Sequence, residues 1–138
     1  MKPITCLLID DDIDDQEIFL GALNNIRIDI KHEIAFNGHE ALQKLISGIV
    51  QPDIIFLDLN MPLMNGRQFL KEVNRQGVLT GIPIVILSTS ADKDTIAETL
   101  SLGAREFITK PDNFKEWERT LNTVLQNLVE GTTDLKAS

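Results

Sequence analysis

Apolar runs of strand length alternate five times with stretches of helical periodicity, and few folds satisfy that pattern. The runs are Ile4–Ile9, His32–Phe36, Ile54–Leu57, Ile84–Leu87 and Glu106–Thr109. The helical stretches cover Asp14–Asn24, Gly38–Ser47, Gly66–Arg75, Asp94–Leu102 and Asn113–Val129. Within them apolar residues recur every three or four positions, as in Phe69, Leu70 and Val73, or Phe114, Trp117, Leu121, Val124 and Leu128. Strands joined through helices of this length run parallel, with right-handed crossovers. The pattern therefore predicts an α/β fold: a five-stranded parallel sheet with helices on both faces. At 138 residues and 43% hydrophobic content the chain suits one domain, read as residues 1–130. Residues 131–138 lack periodicity and are expected to fray.

Local punctuation agrees. Asn65-Gly66 is expected to turn, and Pro83 opens the fourth strand after a loop holding Gly77 and Gly81. Gly103 falls where a left-handed residue would end the fourth helix. Asn113 can cap the last helix, with Glu116 three residues on.

Four of the predicted strand ends carry polar residues of complementary kinds. The first offers Asp10, Asp11 and Asp12; the third Asp58; the fourth Ser88 and Thr89; the fifth Lys110, then Pro111. In a parallel sheet these ends share one edge, where the ligand chemistry of open α/β sheets collects. Asp58 ends the most apolar run and is followed by Met61-Pro62, which cannot extend a strand, so it is the candidate nucleophile. Neighbouring carboxylates would repel one another by roughly 1 to 4 kcal/mol per pair at a surface-like dielectric. A hard divalent cation relieves that repulsion, and Mg²⁺ suits a few carboxylates plus exchangeable waters. With Lys110 it could neutralise a transferring phosphoryl group, leaving an acyl phosphate on Asp58.

Composition narrows the partners. The net charge of -8, with its basic residues scattered, argues against nucleic acid. One cysteine excludes a disulfide framework. The start of the chain does not resemble a signal peptide, and no apolar run nears the ~20 residues of a membrane span, so a cytoplasmic protein is expected.

These residues resemble a response-regulator receiver domain, specifically a stand-alone one. The resemblance rests on Ile9-Asp10-Asp11, on Phe56-Leu57-Asp58-Leu59-Asn60-Met61-Pro62, and on Asn65-Gly66. It extends through Pro83 to Ser88, Gly103-Ala104, and Phe107-Ile108-Thr109-Lys110-Pro111, spanning about Thr5 to Leu128. Each piece is weak alone; the ordered set is specific. It implies the flavodoxin-like (βα)5 doubly wound sheet, in strand order 2-1-3-4-5. It also implies that Asp58 accepts a phosphoryl group from a phosphohistidine on a sensor histidine kinase or a histidine phosphotransfer protein. Asp10, Asp11, Asp58 and the backbone carbonyl of Asn60 would hold Mg²⁺. Ser88 and Lys110 would contact the phosphoryl oxygens, and Ser88 and Phe107 would form the switch. Partners would then read the fourth helix, fifth strand and fifth helix. A lone receiver would signal through protein contacts, with no output domain and no turnover substrate. Ser88 stands where threonine is commoner, Phe107 where tyrosine is frequent, and Asp112-Asn113 lengthens the exit after Lys110-Pro111 by two residues.

The other polar residues read more plainly. Asp12, Asp14 and Asp15 are expected to be solvated, with one capping the first helix. His32 and His39 lack the spacing of a metal site, while Cys6 and Trp117 read as core. One alternative is an Mg²⁺-dependent phosphohydrolase with Asp58 as nucleophile. Haloacid-dehalogenase-type enzymes place an acid/base aspartate two residues further on, where this chain has Asn60. A flavin-binding module is disfavoured by the aspartates after the first strand, which would repel a flavin phosphate.

Overall fold

Strands without polar residues must be covered on both faces, and the two most apolar runs are. In the computed structural model, which describes residues 3–78 and 81–137 (132–137 by backbone alone), β3 (Ile54–Asp58) and β4 (Ile84–Ser88) are buried at every position. They lie inside a five-stranded parallel sheet that also holds β1 (Ile4–Ile9), β2 (Ile30–Ala35) and β5 (Glu106–Thr109). The order is β2-β1-β3-β4-β5, as the family resemblance implied.

Alternation along the strands sorts the core into two halves. Leu7, Ile9, Ile55, Leu57, Ile84 and Ile86 face α2 (Gly38–Ser47) and α3 (Gly66–Gln76), which contribute Ala41, Leu42, Phe69, Leu70 and Val73. Cys6, Leu8, Ile54, Phe56, Val85 and Leu87 face α1 (Ile13–Asn24) and α5 (Phe114–Ala137), which contribute Phe19, Ala22, Leu23, Trp117, Leu121 and Leu125. Phe19 joins the second half together, its ring edge-on to both Phe56 at 5.0 Å and Trp117 at 6.2 Å. α4 (Lys93–Ser101) crosses between β4 and β5.

Two boundaries depart most from the sequence reading. β2 is shifted to Ile30–Ala35, because pairing with β1 runs from Ile4↔Ile30 to Ile9↔Ala35. Phe36 lies past the last pair, and its N–H donates to Glu40 Oε2 at the start of α2. Gly66 starts α3, where the periodicity places the helix, and Asn65 is its cap. The Asn65 side chain accepts from Gln68 N, and Gln68 Oε1 accepts from Asn65 N, which is a capping box. The second departure is at the end of the chain, where α5 continues to Ala137, past the end expected at Val129. Gly103 does close α4 in the left-handed region, with Ala104 N bonded to Thr99 O and Gly103 N to Leu100 O. Asn113 Oδ1 accepts from Glu116 N, capping α5.

Candidate functional site

Register brings the strand ends together. Ile9 pairs with Leu57, so Asp10 and Asp58 stand side by side at one edge. Asp58 pairs with Leu87 and Ser88 with Thr109, which sets Ser88 and Lys110 next along it. Ligand-capable oxygens of Asp10, Asp11 and Asp58 all lie within 4.8 Å of one another. Lys110 Nζ is 3.5 Å from Asp58 Oδ1 and 3.5 Å from Asp10 Oδ2.

Asp10 and Asp58 each accept from an amide of the loop that follows. Asp10 Oδ1 accepts from Asp12 N at 2.9 Å, and Asp58 Oδ1 is 3.4 Å from Asn60 N. Gln16 Nε2 reaches back from α1 to donate to the Asp10 carbonyl at 2.7 Å, a buried bond. Gly66 lets the start of α3 come close to the end of β3. A Cβ there would meet Leu59 Cα at 2.8 Å and the Asp58 carbonyl at 2.9 Å.

Burial dominates the electrostatics. It pushes Asp10 up to about 6, against the pull of the Asp12 amide and the Lys110 charge, with Asp58 and Asp15 adding to the rise. Asp58 is likewise raised, chiefly by burial, although Lys110 and the Asn60 amide pull it down. Burial opposes the Lys110 charge, but the bond to Asp15 and the charges of Asp10, Asp58 and Asp15 outweigh it and hold the ammonium above its ordinary range. Two buried carboxyls that resist ionisation, beside an exposed Asp11, form a donor set that a hard divalent cation would complete.

The remaining candidates sit around this centre. Ser88 is buried, and its Oγ accepts from Ser90 N at 3.2 Å, while its carbonyl accepts from Lys110 N at 2.7 Å. Phe107 is half-buried against the core half that holds Ile86 and Ala104. Two residues are new. Gln16 is one, and no motif marked it. Asp15 is the other: its Oδ2 accepts from Lys110 Nζ at 2.7 Å, the shortest contact the lysine makes. The expectation of a solvated Asp15 is therefore corrected, because the first turn of α1 aims it at the end of β5. Asp12 is the cap, its Oδ1 accepting from Asp15 N at 3.0 Å. A cleft of about 270 Å³ opens beside Lys110, walled by Asp15, Ile18, Thr89, Pro111, Phe114 and Trp117.

The family model for the response regulator receiver domain matches residues 6–122. The chain belongs to this family. That sets it in phosphorylation-based signalling by response regulators. The chain is similar to the response regulator Rcp1 of Synechocystis, at 30% identity over 83% of this chain and 81% of the relative. It is also 46% identical, over 68% of its length, to a protein-glutamate methylesterase/protein-glutamine glutaminase of Treponema denticola. The chain spans about a quarter (24%) of the length of that methylesterase relative. Among solved structures, the phosphorylated cyanobacterial phytochrome response regulator RcpA superposes with a TM-score of 0.84 at 28% identity, covering 93% of this chain and 95% of that one. The Mn²⁺-bound form of Rcp1 gives 0.79 at 28% identity, with 88% and 91% covered. The chemotaxis regulator CheY4 of Vibrio cholerae gives 0.76 at 30% identity, with 92% and 99% covered. Among the described residues no helix is long and apolar enough to cross a membrane.

Proposed function

We propose that this receiver takes a phosphoryl group onto Asp58 from a phosphohistidine and passes the signal on by protein contact. The donor is a sensor histidine kinase or a histidine phosphotransfer protein. One observation carries the reading: a buried Asp58 carboxylate lies 3.5 Å from Lys110, with oxygens of Asp10 and Asp11 within 4.8 Å. A carboxylate in that setting is a nucleophile with its charge compensation already built beside it.

Asp10, Asp11 and Asp58, with the backbone carbonyl of Asn60, would hold Mg²⁺. When bound, the ion supplies positive charge against the carboxylates and the phosphoryl oxygens. A carboxylate oxygen of Asp58 attacks phosphorus. The new O–P bond forms as the P–N bond breaks, and the electron pair leaves with the imidazole nitrogen. Lys110 pairs with one phosphoryl oxygen. Ser88 exchanges its bond from Ser90 N for donation to another, and Phe107 turns further inward. The surface of α4, β5 and α5 then changes for a partner to read, which needs only a few kcal/mol of bias between two packings. The half-exposed rings and chains of Phe114 and Ile18, beside the cleft, suit the approach of a protein donor. The relatives support the reading, since one solved neighbour is a phosphorylated regulator and another holds Mn²⁺. Asn60 offers no general acid two residues after Asp58, which leaves Asp58 as the substrate of its own site rather than a hydrolase nucleophile.

Intact mass after incubation with acetyl phosphate and Mg²⁺ tests this. The wild-type protein gains one acid-labile phosphoryl group, and Asp58→Asn gains none. Equal labelling of the Asn variant, or labelling indifferent to a chelator, overturns the proposal.

A further inference from the structure

Lys110 is held more tightly by a residue outside the phosphoryl site than by any residue within it. Its Nζ is 2.7 Å from Asp15 Oδ2, against 3.5 Å from both Asp10 and Asp58. The lysine side chain is only 10% exposed and Asp15 31%, so water screens this contact less than a surface pair. The backbone of Asp15 is fixed, because its N–H donates to the Asp12 cap at the start of α1. The lysine therefore bridges two elements, β5 and α1, and its best hydrogen bond runs to α1.

We propose that Asp15 is a positioning residue that competes with the phosphorylated Asp58 for Lys110, and so sets how long the phosphoryl group survives. The inference rests on Asp58 being the phosphoacceptor. In the resting protein the ammonium sits back on Asp15. A phosphoryl group on Asp58 brings oxygens carrying more charge than the carboxylate they replace, and it draws the ammonium across. The pull must overcome the Asp15 bond, so part of the stabilisation available to the phosphorylated state is spent on leaving α1. With that bond removed, Lys110 engages the phosphoryl group without first leaving α1.

The test compares Asp15→Asn with Asp14→Asn, which removes the same charge from the exposed side of the same helical turn. Each protein is phosphorylated with acetyl phosphate and Mg²⁺, the donor is removed, and phosphoryl loss is followed by intact mass. Lysine-selective ¹⁵N labelling reports the Lys110 ammonium in the resting state. Asp15→Asn is expected to lengthen the phosphoryl lifetime by about three- to tenfold, the scale of one partly buried charge-assisted bond. It should also shift the Lys110 resonance, while Asp14→Asn changes neither. Three results overturn the inference and leave Asp58 as acceptor: an unchanged lifetime in Asp15→Asn, an equal effect from Asp14→Asn, or a changed lifetime with the Lys110 resonance unmoved. If the wild-type protein takes up no phosphoryl group, the reading of Asp58 falls and this inference with it.

Discussion

Asp10 is under two opposed demands. Folding buries it, which favours the protonated form, whereas metal binding requires the carboxylate. Its pKa rises on folding from 3.8 to about 6, with burial the largest cause. A carboxyl raised in this way stabilises the folded state fully below its unfolded value, and that contribution is lost as pH climbs through the folded value. Metal-free protein should therefore lose stability between pH 3.8 and about 6 at this residue. Divalent-ion affinity should fall over the same window as pH drops, because the proton and the cation compete. Thermal denaturation with and without Mg²⁺ across that range checks both statements. Asp10→Asn should flatten the metal-free slope and abolish the gain from Mg²⁺; a slope that persists unchanged would assign it to other groups. Sequence made this residue legible because a carboxylate directly after a buried strand has few innocent uses. It could not reveal Asp15, whose partner lies 95 positions away and is chosen by how α1 lies against the end of β5. The periodicity of a helix tells which residues share a face, not which strand end that face meets.

At the scale of elements, the connection between β3 and α3 controls the site more than its polar sequence suggests. Asn65-Gly66 reads as a turn because Asn-Gly commonly is one. Here the glycine serves close approach: its N–H donates to Leu59 O at 3.0 Å, and its Cα lies against the strand that carries Asp58. The obstacles to a Cβ are mainly backbone atoms, at 2.8 and 2.9 Å, which cannot swing aside. Gly66→Ala should cost about 2–4 kcal/mol by denaturant unfolding, at the upper end for overpacking, and should reduce phosphorylation of Asp58 as the strand end is displaced. A loss below about 1 kcal/mol would mean that the loop yields more easily than its contacts indicate. The interior strands are plain in the sequence, since burial on both faces leaves a continuous apolar run. β2 is the hardest to read. It is an edge strand with exposed Lys31 and His32, so no alternation marks where pairing begins.

For the whole molecule, the two halves of the core differ in how the chain closes them. The half under α2 and α3 is built from neighbouring crossovers, but the other needs α1 and α5, from opposite ends of the sequence, to meet over β1 and β3. Ring packing of Phe19 on Trp117 and the bond from Asn25 Nδ2 to Glu118 Oε2 at 3.1 Å join those helices. Cys6 lies beneath them, fully buried on β1, and burial with the nearby charge of Asp53 pushes its thiol up to about 12. A thiolate reagent can reach it only when this half of the core opens. Native protein should therefore leave the thiol unlabelled over hours, while denatured protein takes up one equivalent, because the chain has one cysteine. If opening is global, the labelling rate should rise with denaturant along the slope of the equilibrium unfolding curve, and Mg²⁺ should slow it by the factor 1 + [Mg²⁺]/Kd. A shallower slope, with no response to Mg²⁺, would show that α5 lifts away while the sheet and its acidic edge stay intact. The closing helix would then be a separate cooperative unit, and contacts of a partner with α5 could be made or lost without disturbing Asp58.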